Sequence, residues 1–383
     1  AGISSYANDP PQAGQSLRPC LNQVLNYIPS EKQQKTHICL GATAGMRLLE
    51  IQNQSQSRMI LDEVSRTIRS YPFRFHEARI ISGIDEGIYG WISVNYLLES
   101  FLKYSWDGNW LHPESAQIQG ALDLGGSSTQ ITFTPTPASN HTPAEMGLKL
   151  YGYDYNVYTH SYLCYGQQQF IKKYIATLLK GVNLNTPIEN PCYLRGYETN
   201  LTLGSIYDSV CTSAQRPSPY DRTQNVTVFG SGKITECKQA IKAVFNFTAC
   251  RGSANCSFDG VYQPAVNGPF YVNVAHPNER HDRLRDYCTS ATYIYTLLVD
   301  GYKFDSDTWK NIVFKEKASN TDIGWTLGYM LNLTNMIPSQ SPDTVKAQYR
   351  ALWTASCFFR VMTILLALAS LLTSFLKESQ PSG

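Results

Sequence analysis

Ala121-Leu-Asp-Leu-Gly-Gly-Ser-Ser-Thr-Gln-Ile-Thr-Phe133 is the stretch on which the fold turns. An apolar lead-in delivers Asp123 to a glycine pair, after which Thr129, Ile131 and Phe133 alternate with Gln130 and Thr132. That pattern predicts strand, tight turn, strand, with an acid and the backbone N–H groups of Gly125 and Gly126 gathered at the bend. Glycines let a backbone approach a phosphate closely, and consecutive N–H groups form an anion-binding concavity. A carboxylate beside such a nest commonly serves the divalent cation that accompanies a phosphate. Alone, the pattern fits an ordinary glycine-turn hairpin equally well.

Two further segments break that tie. Gly41-Ala-Thr-Ala-Gly-Met-Arg-Leu-Leu49 is a small-residue loop running into an apolar, helix-like segment. Gly83-Ile-Asp-Glu-Gly-Ile-Tyr-Gly-Trp91 reads as a glycine-rich turn in which Glu86 reaches a ligand without steric cover. In this order and spacing, the three segments resemble three signature regions of the ectonucleoside triphosphate diphosphohydrolases, the ecto-apyrases, and the cell-surface subgroup in particular. The resemblance runs from Gly2 to about Pro338.

The composition suits a folded secreted or luminal chain. A length of 383 residues allows two or three domains, and 43% hydrophobic content can build sizeable cores. A net charge of +2 gives no reason to expect nucleic acid as a partner. Seven N-x-[ST] sequons, at Asn53, Asn140, Asn200, Asn225, Asn246, Asn255 and Asn332, stand beside ten cysteines and point to an extracytoplasmic glycoprotein. Cys250 and Cys256 lack zinc-ligand spacing and the histidines are scattered, so disulfides are favoured over metal ligation, with connectivity open. The resemblance implies the pairs Cys164–Cys211, Cys192–Cys237 and Cys250–Cys256. It also implies partners for Cys20 and Cys288 that the sequence does not supply.

Val361 to Leu376 is an uncharged, mostly apolar run that extends upstream through Ala351–Phe359. About 20 residues cross a bilayer as a helix, so residues 351–376 are the candidate span, with Arg360 inside it. The alternative is a terminal core helix. Lys377 in the 377–383 tail points to a cytoplasmic C-terminus and an extracellular bulk at the plasma membrane. Elsewhere helices and strands alternate. Ile60, Val64 and Ile68 mark one amphipathic helix and Phe170, Tyr174 and Leu178 another; Thr289 to Val299 is a third candidate, and Pro217 and Pro219 mark a loop-rich insertion. The resemblance implies an α/β fold of two ribonuclease H-like lobes around a central cleft, as in the actin, hexokinase and heat-shock ATPase superfold. One lobe would comprise residues 1–82 and 316–340, the other 83–315.

The chemistry follows from residue type. Hydrolysing a terminal phosphate needs a cation, donors around the equatorial oxygens and an in-line water. Glu86 is the candidate base for that water, and Ser128 and Gln130 fix it from one side of the hairpin. Gly125, Gly126 and Ser127 supply N–H donors, Thr43 a hydroxyl, and Asp123 the metal-side carboxylate acting through a water. These roles match the family pattern, apart from Ser127, where alanine is commoner. By resemblance Arg283 and Tyr287 line the nucleobase site; the bland alternative is an exposed arginine and a half-buried tyrosine. Trp325 and Trp91 are assigned to packing. The implied substrates are extracellular nucleoside tri- and diphosphates, the implied cofactor Ca²⁺ or Mg²⁺, and a homo-oligomer is left open.

Two departures from the family pattern shape the expectation. The family's Asp-x-Gly-Ser phosphate loop has no counterpart, because the chain begins downstream of it. After Tyr271, roughly fifty family residues are expected to be absent near position 272, an estimate in keeping with the unpaired Cys288. A catalytically silent membrane glycoprotein, binding nucleotide weakly or joining full-length protomers, is therefore the alternative to an active hydrolase.

Overall fold

α1 (Pro10–Tyr27) opens with proline at its first turn, where a missing N–H costs nothing. It is followed by β1 (His37–Ala42), α2 (Ala44–Gln52), α3 (Gln54–Arg69) and β2 (Arg74–Ile80). β1 and β2 pair in parallel. The Asn53 side chain caps α3 by accepting the Gln56 N–H at 3.1 Å. Ile60, Val64 and Ile68 fall on one face of α3 and pack with Ala13, Leu21, Met46 and Leu49. Each such aliphatic side chain contributes ~1.5–3 kcal/mol on burial.

The computed structural model describes residues 2–101, 103–104, 110–111, 117–135, 145–151, 153–252, 255–274, 281–315, 317–318, 321–334 and 350–378. Ala1–Asn332 form one compact unit and Leu333–Gly383 a second.

The segment expected as a glycine-rich turn is instead a helix, α4 (Gly83–Leu97), capped by the Ser82 hydroxyl on the Asp85 N–H. The local preference of glycine is overridden by packing. Gly83 and Gly87 lie one turn apart and let the helix press onto a sheet. A Cβ on Gly83 would stand 2.5 Å from the Ser161 Cβ, and one on Gly87 2.6 Å from the Thr159 Oγ1. Glu86 is accordingly buried rather than uncovered.

That sheet begins with the anticipated hairpin. β3 (Gly120–Leu124) and β4 (Ser128–Phe133) pair antiparallel, with Asp123 opposite Gln130. β5 (Glu145–Leu150) and β6 (Tyr153–Leu163) extend it, with Gln130 opposite Ser161. α5 (Gln167–Leu178) follows, then β7 (Ile188–Asn190), β8 (Glu198–Thr202), α6 (Leu203–Tyr207) and β9 (Asn225–Gly230). β7, β8 and β9 form a small sheet in the order β8-β9-β7. α7 (Ile234–Lys242), β10 (Phe270–Val274), α8 (Tyr287–Thr296) and β11 (Ile312–Phe314) come next. The large sheet runs β11-β10-β3-β4-β6-β5, parallel through its first three strands and antiparallel thereafter. Strand alternation sorts its faces. Leu122, Leu124, Ile131 and Phe133 join Phe170, Tyr174 and Tyr293 in one core, with the Phe170 and Tyr293 rings stacked at 3.7 Å. Asp123, Gln130, Thr132, Thr159 and Ser161 occupy the alternate positions, toward α4.

The bridges Cys164–Cys211, Cys192–Cys237 and Cys250–Cys256 are formed, and Cys20, Cys39, Cys288 and Cys357 are free thiols. The proline-rich stretch lies in irregular structure between α6 and β9, with a cis Ser218–Pro219 bond. Trp91 is buried against Phe101 and Tyr155, as its structural assignment expects. α9 (Trp325–Thr334) sets the Trp325 ring where a Cβ on Gly41 would stand 2.8 Å away. α10 (Arg350–Glu378) contains Trp353–Leu372, a stretch long and apolar enough to cross a membrane. Phe359, Ile364, Leu366 and Leu372 on it are exposed.

Candidate active site

Glu86 stands where three elements meet. From α2, the Arg47 Nη2 donates to Glu86 Oε2 at 2.7 Å and to Ser128 Oγ at 3.1 Å, while its Nη1 donates to the Ile81 carbonyl at 2.8 Å. From β4, the Gln130 amide nitrogen donates to Glu86 Oε2 at 3.0 Å and to Ser128 Oγ at 2.7 Å. The same nitrogen reaches Ser161 Oγ on β6 at 2.9 Å. One carboxylate oxygen thus takes a guanidinium and an amide, with a serine hydroxyl bridging both donors. Burial raises the pKa of Glu86, while the Arg47 charge and hydrogen bond, then the Thr43 and Ser128 hydroxyls, pull it back. The result is a carboxylate that is fixed, desolvated and more basic than usual.

Asp123 lies on the same sheet face, one strand from Gln130. Its carboxyl is pushed up to about 7, first by burial and then by the Glu86 charge. Among the described residues its carboxylate has no hydrogen-bond or ion-pair partner. No three His, Cys, Asp or Glu side chains among those residues gather as a metal centre. One poorly compensated carboxylate suits a hard divalent cation that completes its shell with water and phosphate oxygens.

The turn between β3 and β4 is held from behind. The α5 N-terminus spends the Gln167 N–H on the Gly125 carbonyl at 2.9 Å, and the Gln168 and Gln169 N–H groups on the Gly126 carbonyl at 3.0 and 3.2 Å. Gly166 has no side chain, which permits this approach: a Cβ there would lie 2.5 Å from the Ser128 nitrogen. The Gly125 N–H is used inside the turn, on the Ser128 carbonyl at 3.1 Å. The donors open to an anion therefore narrow to Gly126 and Ser127, whose N–H groups have no partner among the described residues. Thr43 is the residue preceding α2 and makes no cap bond, which leaves its hydroxyl on the Glu86 side.

Of the two nucleobase candidates, Tyr287 stands apart from this cluster. Tyr287 is 50% exposed at the start of α8 and shares no contact with Glu86, Gln130 or Ser128 among the described residues. The Arg283 side chain lies outside the described residues, as do Asn140, residues 275–280 and the 379–383 tail. Two members of the cluster were not singled out from the sequence. Arg47 sits within the quoted Gly41–Leu49 segment, four residues after Thr43 and on the same helical face. Ser161 carried no local signal and is brought in by strand register alone.

A fixed, desolvated carboxylate thus stands in a mixed α/β protein on the same sheet face as an uncompensated acid, beside a turn with two unpartnered backbone amides. The chain belongs to the GDA1/CD39 (nucleoside phosphatase) family, whose match covers residues 1–276 and 271–348. It is 44% identical to ectonucleoside triphosphate diphosphohydrolase 8 of Gallus gallus over 408 residues, covering 97% of this chain and 82% of the relative. It is 40% identical to ectonucleoside triphosphate diphosphohydrolase 2 of Mus musculus, covering 100% and 84%. The fold is similar to that of a nucleoside triphosphate hydrolase crystal structure from Neospora caninum, with TM-score 0.57, 13% identity, and 85% and 78% of the chains covered. The alignment of 408 positions exceeds this chain's 383 residues, so the Gallus gallus relative carries internal residues without counterpart here.

Proposed function

We propose that this chain hydrolyses extracellular nucleoside tri- and diphosphates to nucleoside monophosphates and inorganic phosphate, with Ca²⁺ or Mg²⁺. The observation that carries the reading is the convergence of Arg47, Gln130 and Ser128 on the buried Glu86, in a chain of a nucleoside phosphatase family. Glu86 takes the proton of a water that attacks the terminal phosphorus in line. The water oxygen–phosphorus bond forms as the bridging phosphorus–oxygen bond breaks, and the leaving nucleotide departs with the bridging electron pair. Gln130 and Ser128 orient the water against Glu86, and the Gly126 and Ser127 N–H groups with the Thr43 hydroxyl meet charge on the phosphoryl oxygens. A divalent cation beside Asp123 would neutralise phosphate charge.

Arg47 makes Glu86 a weaker base than burial alone would. It also fixes the direction of the carboxylate. Tyr287 and Arg283 contact the base by stacking rather than by reading its edges, which suits several nucleobases. The unit from Leu333 onward anchors the chain at the plasma membrane through α10, with the catalytic bulk outside. Exposed Asn53, Asn200, Asn225, Asn246 and Asn255 and three disulfides support that compartment. Two lobes with boundaries at 82 and 315 and a second lobe shortened near 272 belong to the same proposal. The family match divides at 271–276, which supports the shortening. The shortening is also what favours the second reading, a silent glycoprotein. Nucleotide-dependent stabilisation without turnover would select it over the hydrolase. Phosphate release that needs Glu86 selects the hydrolase.

A further inference from the structure

A cavity of about 940 Å³ opens beside the phosphate turn, and Glu86, Ser128 and Gln130 are not among its walls. Gly45 and Leu48 of α2 line it together with Ser127 of the turn and Gln168 and Lys172 of α5. Gly45 follows Thr43 by two residues, so the cavity touches both segments that carry phosphate donors. Asp208 and Arg222 also border it.

The charges in this cavity do not cancel. The Asp208 carboxylate is engaged three times: by Arg222 Nη2 at 3.0 Å, by Arg216 Nη2 at 3.5 Å and by the Tyr220 hydroxyl at 2.7 Å. Lys172 makes no hydrogen bond or ion pair among the described residues. Its ammonium is half-buried, and desolvation lowers its pKa against a smaller opposing pull from Asp208. Two lining cations, Lys172 and Arg222, thus face one committed carboxylate, and the uncommitted Lys172 lines the same cavity as Ser127. An ammonium held out of water gains most from a compact, doubly charged oxyanion that accepts its hydrogen bonds.

We propose that this cavity is an oxyanion subsite centred on Lys172, with Ser127 and Gln168, and that it receives the inorganic phosphate set free by hydrolysis. The proposal rests on the nucleotide-hydrolase reading for the origin of that phosphate. The terminal phosphate of a bound nucleotide has the same chemistry, and the two sources are separable.

The test is equilibrium binding of inorganic phosphate, and separately of a non-hydrolysable ATP analogue, to the purified full chain at fixed ionic strength. Wild type is compared with Lys172→Met, which keeps the apolar stem, and with Lys172→Arg, which keeps the charge. Lys172→Gln substitutes for the methionine variant should that one not fold. The phosphate Kd is expected to weaken about tenfold or more in Lys172→Met and to recover in Lys172→Arg. An unchanged analogue Kd then assigns the subsite to free phosphate, and a parallel loss assigns it to the nucleotide's terminal phosphate. Phosphate binding that is absent in wild type, or equal in wild type and Lys172→Met, overturns the proposal. Wild type that binds phosphate through Lys172 but no analogue keeps the subsite and removes the nucleotide reading. Analogue binding without any role for Lys172 does the reverse.

Discussion

Glu86 and Arg47 form a buried pair whose two members answer to different tests. As a base, Glu86 works ionised, so kcat/KM falls as pH drops through its raised pKa. Glu86→Gln keeps the shape and the hydrogen bonds but loses the base, and turnover drops by ~10²–10⁴-fold. Arg47→Met removes the largest influence that lowers the Glu86 pKa. The acid limb of the pH–rate profile then moves to higher pH, and stability falls by ~3–5 kcal/mol because a buried charge is left unpaired. An acid limb that stays in place in Arg47→Met would mean that the pair does not set the basicity of Glu86. Asp123 gives a prediction of opposite sign to the ordinary aspartate. Its folded pKa of about 7 lies above its unfolded value of 3.8, so the stability it contributes is complete below pH 4 and is lost as pH rises through 7. In chelator at pH 8, Asp123→Asn should therefore raise Tm, by the equivalent of ~2–4 kcal/mol, with no difference at pH 4. Added Ca²⁺ or Mg²⁺ should stabilise wild type and leave Asp123→Asn unmoved.

At the scale of elements, α4 and the hairpin differ in how far the sequence discloses them. The hairpin was legible because period-two alternation and a glycine pair are local signals, and Asp123 opposite Gln130 follows from them. α4 was not, because Gly83, Gly87 and Gly90 mark a turn to any local reading. Only the tertiary contact shows that two of the three glycines are there for clearance. Gly87→Ala should cost ~1–3 kcal/mol, since its Cβ meets the Thr159 and Thr132 hydroxyls at 2.6 and 2.7 Å. Gly90 meets nothing within 4 Å, and Gly90→Ala should stabilise by ~0.5–1 kcal/mol. Urea unfolding of the two variants gives opposite signs if the glycine face is what seats Glu86 over the sheet. Equal effects would reduce both to helix propensity. Ser161 and Arg47 were hidden for a related reason: register between distant strands, and the reach of a long side chain, are not written in any window of sequence.

At the scale of the whole molecule, the sequence discloses the family and the disulfide framework. Ten cysteines and seven sequons carried the expectation of an oxidising compartment, and the three bridges formed are those the family resemblance implied. Peptide mapping under non-reducing conditions should find those three bridges and free thiols at Cys20, Cys39 and Cys288. The internal shortening bears on function because a site that works by positioning tolerates little displacement of its walls. The measurement that meets the central claim most directly is phosphate release from ATP and ADP by the full chain in membranes, beside Glu86→Gln and a chelator control. The account predicts release from both nucleotides that disappears in both controls. Release that persists in Glu86→Gln, or none from a glycosylated chain at the cell surface, would contradict it.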